Sequence, residues 1–152
     1  MIRRYGSIHE LPEAAGQPEK DLDYRIIFSI SRPPGKQQEP SPGLLHMAST
    51  VNFLESGGVT DDHRHLAGIV HGQATPAALS ERAYWRIFGE GSPNADLIRD
   101  LTEHGVRICV CGQSFFNSGF QKHDLHRDVT LALSTLTVLP ACQLKGYALM
   151  IY

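Results

Sequence analysis

Five apolar runs alternate along the chain with segments of helical periodicity. The runs lie at 24–31, 66–70, 106–110, 129–133 and 147–152. Short runs that are mostly apolar, without a regular polar face, are typical of strands buried in a parallel sheet. We therefore predict five strands, of which the run at 129–133 is the weakest.

Helix signals separate these runs. Ser41 is a suitable N-cap and Pro42 a suitable first helical residue. Apolar positions then recur every three or four residues as far as Leu54, and Gly57 ends the helix. Further helices are predicted at 75–88, 92–105, 113–118 and 134–145. In the last of them, Pro140 should kink the helix or delay its start.

The alternation of strands and helices through short loops indicates βαβ units. We therefore predict a single three-layer α/β domain over residues 24–152, with a mostly parallel five-stranded sheet and helices on both faces. Residues 1–23 are rich in Pro, Glu and Asp and have no clear period, so we expect an arm laid over this domain. A length of 152 residues fits one domain.

Composition and charge narrow the function classes. Apolar residues make up 41% and charged residues 20%, which is ordinary for a soluble globular protein. The net charge is −2 and there is no basic run, so nucleic acid is not an expected partner. No apolar run reaches the ~18 residues of a membrane span. Neither a GxGxxG motif nor a P-loop indicates a nucleotide.

The cysteines and the first residues bear on the compartment. Three cysteines, an odd number, argue against a disulfide framework and favour a reducing environment. The segment 1–16 has two arginines but lacks the apolar core of a signal peptide. We expect a cytoplasmic protein, or a periplasmic one if a leader has been removed.

Cys111 is the candidate catalytic residue. It follows the run 106–110, and ligands of open α/β sheets bind outside the carboxyl ends of the strands. Gly112 should make a tight turn, and the N–H groups of Gln113 and Ser114 should favour an anion beside them. A cysteine held there should have a lowered pKa and act as a thiolate. The alternative is a small apolar residue that fills space.

The other two cysteines are predicted to be core residues. Cys109 shares a strand face with Cys111, at a Cα separation of roughly 6.6 Å, which is near the upper limit for a disulfide. Cys142 lies within the last predicted helix. A CxC sequence alone is not a zinc motif, which usually contains CxxC pairs.

His71 and Gly72 end the second strand on the same edge as Cys111. Neighbouring strands lie ~4.8 Å apart, so His71 could hold or deprotonate the thiol if the two strands are adjacent. The alternative is a histidine bonded to backbone at a strand end. His63 and His65 precede the same strand, at its opposite end, so we expect no three-histidine metal site.

Three further positions have structural interpretations. The segment 121–127, with His123 and His126, is expected to be a solvated loop. Trp85 is expected in the core more than at an interface. Asn52, at the edge of the first helix's apolar stripe, receives no assigned role.

Four segments together resemble the DsrE/DsrF-like family, small α/β proteins associated with sulfur relay and intracellular sulfur oxidation. In chain order they are GLLHMASTVNFLESGGV, IVHG, GVRICVCGQS and KGYALMIY. The resemblance runs from about Tyr24 to the C-terminus and implies a flavodoxin-like, DsrE-like fold. The arm and the loop at 32–43 are longer than the minimal family domain requires.

The resemblance also implies a function and a site. In sulfur-carrying members, a cysteine at this strand end accepts persulfide sulfur, and that position is Cys111 here. The implied activity is a persulfide carrier or sulfurtransferase without a cofactor or metal, with a protein as sulfur donor or acceptor. The implied assembly is a homotrimer or hexamer. The alternative is a non-catalytic module of the same fold that binds a small ligand or assembles, with Cys111 merely lining the rim.

Overall fold

The computed structural model describes residues 1–152 and contains five strands and five α-helices. In chain order they are β1 (Tyr24–Ile30), α1 (Pro42–Ser56), β2 (Arg64–Val70), α2 (Glu81–Phe88), α3 (Ala95–Glu103), β3 (Arg107–Cys111), α4 (Gly112–Asn117), β4 (Thr130–Ala132), α5 (Thr135–Leu144) and β5 (Ala148–Ile151). Short 3₁₀ turns lie at Asp61–His63, Gly72–Ala78 and Lys122–Asp124. No helix is both long and apolar enough to cross a lipid bilayer.

The five strands form one parallel sheet in the order β4-β3-β2-β1-β5. This confirms the predicted α/β class, and the sheet is parallel throughout. β2 and β3 are neighbours, with Val70 paired to Val110. The residues that follow these two strands therefore meet at the same edge.

The two faces of the sheet are covered unequally. Phe28, Val70 and Val110 point into the large core, to which α1, α2, α3 and α4 all contribute buried residues. Ile69 and Cys111 point to the opposite face, where a small cluster packs against α5. Because side chains alternate between the faces of a strand, every second residue of β3 lies under α5.

The N-terminal arm is held by one buried amide. Asn52 on α1 accepts the N–H of Ile2 at 2.7 Å, and its Nδ2 donates to the carbonyls of Ile2, Tyr5 and Gly6. Asn52 therefore fixes the arm to α1. Its position on the helix stripe does not reveal this role, because its partners lie about fifty residues earlier in the chain.

The helix starts differ from the sequence expectations. Ser41 precedes α1, but its hydroxyl forms no capping bond and is buried without a partner. Its backbone N–H donates to Asn94 Oδ1 at 2.7 Å. The predicted helix at 75–88 is a 3₁₀ turn followed by α2, since Leu79 is extended and bridges to Leu125. α5 continues through Pro140 without a break.

Two predictions of exposure are wrong. Trp85 is 60% exposed, because α2 has only eight residues and buries its opposite face through Ala83 and Tyr84. The segment 121–127 is not simply solvated. Asp124 is buried, and its Oδ1 forms a salt bridge with Arg86 Nη2 at 2.6 Å. His126 is also buried.

Candidate functional site

The candidate site lies where β3 ends. Cys111 is the last residue of β3 and directly precedes α4. The register that pairs Val70 with Val110 brings His71 beside Cys111 at the carboxyl edge. Both side chains are on the face covered by α5, because each follows the alternation of its strand. The sequence-based placement of these two residues on one edge therefore agrees with the structure.

A second element begins beside the Cys111 sulfur. The N–H of Thr135, the first residue of α5, donates to Cys111 Sγ at 3.4 Å. α5 starts here because β4 pairs with β3, with Ala132 opposite Cys111, and because Ser134 caps the helix by accepting the N–H of Leu136. The sulfur thus lies between the starts of α4 and α5.

These donors control the protonation of Cys111. Burial alone would raise its pKa, but the amides and hydroxyls of Ser114 and Thr135 favour the thiolate and bring the pKa down from 9.0 to about 6. The Cys111 side chain does not cap α4 in the usual way, by a hydrogen bond from its first turn. α4 has only six residues, so these local donors matter more than a helix dipole. At neutral pH the thiolate form predominates.

The two hydroxyls are directed toward the sulfur by their surroundings. Ser114 Oγ accepts the N–H of Gly72 at 3.3 Å, which leaves the hydroxyl proton free to point at Cys111. The hydroxyl of Thr135 is buried, forms no hydrogen bond, and is one of the groups that lower the pKa of Cys111. Gly72 therefore acts on the site through Ser114.

Gly112 has a different role from the one expected. Its φ is not positive, so the turn after β3 does not need glycine for its backbone angles. A Cβ at this position would lie 2.6 Å from the carbonyl oxygen of Ala132. Glycine is required because β4 passes this close.

Gln113 contributes through its side chain. Its Nε2 donates to the carbonyl of Leu133 at 3.1 Å, in the connection between β4 and α5. Of the two predicted main-chain donors, Ser114 is the one that lowers the pKa of Cys111. Gln113 instead fixes the segment that carries Thr135.

His71 is engaged elsewhere. Its ring Nε2 and the hydroxyl of Ser29 on β1 are hydrogen-bonded at 2.8 Å. The backbone N–H of His71 donates to the carbonyl of Ile30. No hydrogen bond joins His71 to Cys111, and burial lowers the pKa of the imidazole. The imidazole is therefore neutral at pH 7 and contributes no positive charge to the thiolate.

Access to Cys111 is narrow. Only 4% of the residue is exposed. A shallow cavity of about 220 Å³ lies next to it, lined by Gly112, Gln113, Phe116, Leu131, Ala132 and Leu133. Cys111 itself does not line this cavity.

The remaining cysteines are half-buried and unpaired. Burial raises the pKa of Cys109 to about 11, and the nearby Cys142 and Cys111 add to the effect. Its Sγ donates to the carbonyl of Gly68 at 3.5 Å. Cys109 therefore stays protonated at the pH at which Cys111 is ionised.

His63 lies away from this edge. His63 pairs with Asp23 at 2.7 Å, at the amino end of β2. No group of three or more His, Cys, Asp or Glu residues is close enough to hold a metal ion.

The sequence pattern does not single out Thr135. It lies 24 residues after Cys111 and approaches it only through the pairing of β3 with β4. The Ser-Thr step at the start of the last predicted helix, directly after a short strand, is the signal that could have identified it.

Comparison with known proteins places the chain among characterised folds. Residues 25–152 match the DsrE/DsrF-like family. The structure is similar to the protein of unknown function MTH1491 from Methanobacterium thermoautotrophicum, with a TM-score of 0.65 and 19% identity over 86% of this chain and 100% of that one. It is also similar to the ychN protein from E. coli, with a TM-score of 0.60 and 18% identity over 85% and 99%. At these identities the likeness shows a shared fold. No curated protein matches the chain.

Proposed function

Because this chain belongs to the DsrE/DsrF-like family, we propose that it carries sulfur as a persulfide on Cys111. The observation that supports this most directly is the thiolate environment: Thr135 N–H lies 3.4 Å from Sγ, and the pKa of Cys111 is about 6. Cys109, two residues earlier on the same face, has a pKa of about 11. One sulfur of the three is thus prepared for nucleophilic attack.

The proposed reaction has two steps that conserve atoms and electrons. The Cys111 thiolate attacks the outer sulfur of a donor persulfide, R–S–SH; its S–S bond breaks and the donor leaves as the thiolate R–S⁻. Cys111 then carries the group –S–SH. An acceptor thiolate attacks this outer sulfur, takes it and releases the Cys111 thiolate. Since there is no net oxidation or reduction, the cycle consumes no cofactor.

The hydrogen-bond donors of Ser114 and Thr135 that favour the Cys111 thiolate assist both steps. They raise the fraction of thiolate available to attack the donor. In the second step Cys111 is the leaving group, and a thiol of lower pKa leaves faster. A pKa near the ambient pH suits a carrier, because a much lower value would weaken the nucleophile.

A mass measurement tests the proposal. The protein is incubated with glutathione persulfide and its intact mass is recorded. We expect wild type to gain one sulfur atom and Cys111→Ser to gain none. Cys109→Ser and Cys142→Ser are the matched controls and should load like wild type. Loading of Cys111→Ser to the wild-type level would contradict the assignment.

The 4% exposure of Cys111 favours a second candidate, a non-catalytic binding or assembly module. The pH dependence of alkylation by iodoacetamide, in a Cys109→Ser/Cys142→Ser background, separates the two. A carrier should reach half its maximal rate near pH 6, as the pKa of Cys111 implies. An inert thiol would do so near pH ~8.5 or not react at all.

We also propose that the chain self-associates, as a homotrimer or hexamer, through the surface that α5 presents. The helix sequence TLTVLPACQL has no charged residue and no buried one. Leu136 and Leu144 are 85% and 89% exposed. An uncharged helix with exposed leucines is normally covered by another surface, and permanent interfaces between identical chains are the most apolar class. The three free cysteines fit a reducing compartment, for which we propose the cytoplasm.

A further inference from the structure

A second cavity lies on the same face of the sheet, at the end opposite to Cys111. Its volume is about 360 Å³, which falls within the range of small-ligand sites of about 300–1,000 Å³. The walls are mostly apolar and come from α5 and the sheet: Ile27, Ala67, Ile108, Cys109, Val138 and Cys142. Arg107 and Thr130, the first residues of β3 and β4, place it at the amino edge.

The polar groups of this cavity have one sign of charge. Arg107 and Lys145 line it, and no carboxylate does. Neither cation forms a salt bridge, whereas six other arginines do: Arg4, Arg25, Arg64, Arg86, Arg99 and Arg127. Neither charge is neutralised by a carboxylate within the cavity, so both are available to an anionic ligand.

The guanidinium of Arg107 is partly oriented by the protein. Its Nη2 donates to the hydroxyl of Tyr147, which also lines the cavity, at 2.8 Å. The other N–H groups of the guanidinium remain available. Guanidinium groups recognise planar oxyanions such as carboxylates through paired N–H donors.

We propose that this cavity binds a small organic anion, with an apolar or aromatic body between α5 and the sheet and a carboxylate or sulfonate held by Arg107 and Lys145. The apolar walls supply the hydrophobic contribution and exclude a simple inorganic ion as the main ligand. The two cations supply charge selectivity. Cys111 does not line this cavity, because it lies at the other end of β3.

Two fluorescent probes that differ in a single group test the proposal. Anilinonaphthalene sulfonate has an aromatic body and an anionic group, and N-phenylnaphthylamine has the same body without the charge. Titrations measure the affinity of each for the full-length protein. We expect the double variant Arg107→Gln/Lys145→Gln to weaken the affinity for the sulfonate probe about tenfold, or about 1.4 kcal/mol. Its affinity for the neutral probe should be unchanged.

Matched variants distinguish binding in this cavity from non-specific binding of the probes to the protein surface. Arg82→Gln/Lys122→Gln removes the same charge from two exposed residues that form no salt bridge, and should leave both probes unaffected. Cys142→Phe fills the cavity and should abolish binding of both, while Leu136→Gln, on the outer face of α5, should not.

Equal loss of sulfonate affinity in the two charge variants would overturn the proposal. So would unchanged binding of both probes by Cys142→Phe. None of these measurements uses Cys111, so their failure would leave the persulfide proposal standing, and the reverse also holds.

Discussion

Two cysteines on one strand show how strongly local donors determine thiol chemistry. Cys109 and Cys111 share a face of β3 and a common apolar cluster. Burial raises the pKa of both, yet that of Cys109 is about 11 and that of Cys111 about 6. The difference comes from Ser114 and Thr135, whose amides and hydroxyls reach only the sulfur at the strand end.

Removal of a hydroxyl should therefore raise the pKa of Cys111. For Ser114→Ala or Thr135→Val we expect the pH of half-maximal alkylation to rise by about one, because a hydrogen bond to a charged group contributes about 1.5 kcal/mol. The rate at pH 6 should fall accordingly. Thr137→Val is the control, since the Thr137 hydroxyl donates to the Ser134 carbonyl. An unshifted midpoint in both site variants would exclude these hydroxyls as the cause.

The pKa of Cys111 also links its ionisation to stability. A folded-state pKa below the unfolded value means that thiolate stabilisation is fully present above the unfolded pKa and is lost as pH falls toward 6. Urea titrations of wild type should give a larger free energy of unfolding at pH 9 than at pH 6. Cys111→Ala should lessen that difference, and a pH dependence identical to wild type would contradict the linkage.

At the scale of elements, the site depends on how closely β4 approaches the turn between β3 and α4. That approach places the start of α5 at the sulfur and is possible because residue 112 has no Cβ. Gln113 then ties α4 to the connection before α5. The site is thus a meeting of three elements, with Gly112 as the steric condition.

Gly112→Ala should disturb this junction. Its Cβ would meet backbone, the Ala132 oxygen at 2.6 Å, so β4 must shift. We expect a loss of about 1–3 kcal/mol in unfolding free energy, as for overpacked sites, and a higher alkylation pKa as Thr135 moves away. Gly35→Ala should be near neutral in urea titrations, because its Cβ meets only the flexible Glu39 side chain. Equal stability of the two variants would contradict this role.

At the scale of the whole molecule, the two faces of the sheet are unequal. One is covered by four helices with a large core, and the other by α5 alone. All-parallel sheets are normally covered on both faces. The exposed leucines of α5 lie on the thinly covered side.

Charge on α5 should therefore dissociate the proposed oligomer. We expect Leu136→Glu/Leu144→Glu to lower the molar mass in light scattering after gel filtration from that of an oligomer to that of a monomer. Leu11→Glu/Leu22→Glu, which charges two exposed leucines of the arm, should leave the mass unchanged. A monomeric wild type would contradict self-association, and equal dissociation in both variants would exclude α5 as the interface.

The sequence by itself determined the fold class, all five strands and the position of Cys111 at a strand end. These features follow from local patterns: the apolar runs, helical periodicity, and the glycines and prolines between them. They also sufficed for the family resemblance, which the match over residues 25–152 confirms.

Only the tertiary structure decided which groups surround the sulfur. Thr135 donates to Cys111 across 24 residues, and His71 bonds to Ser29 across 42. The amino-edge cavity joins residues from four strands and α5. The physical reason is the same in each case: strand pairing and helix packing create these contacts, and a one-dimensional pattern of polarity carries no information about which distant side chain will face a given atom.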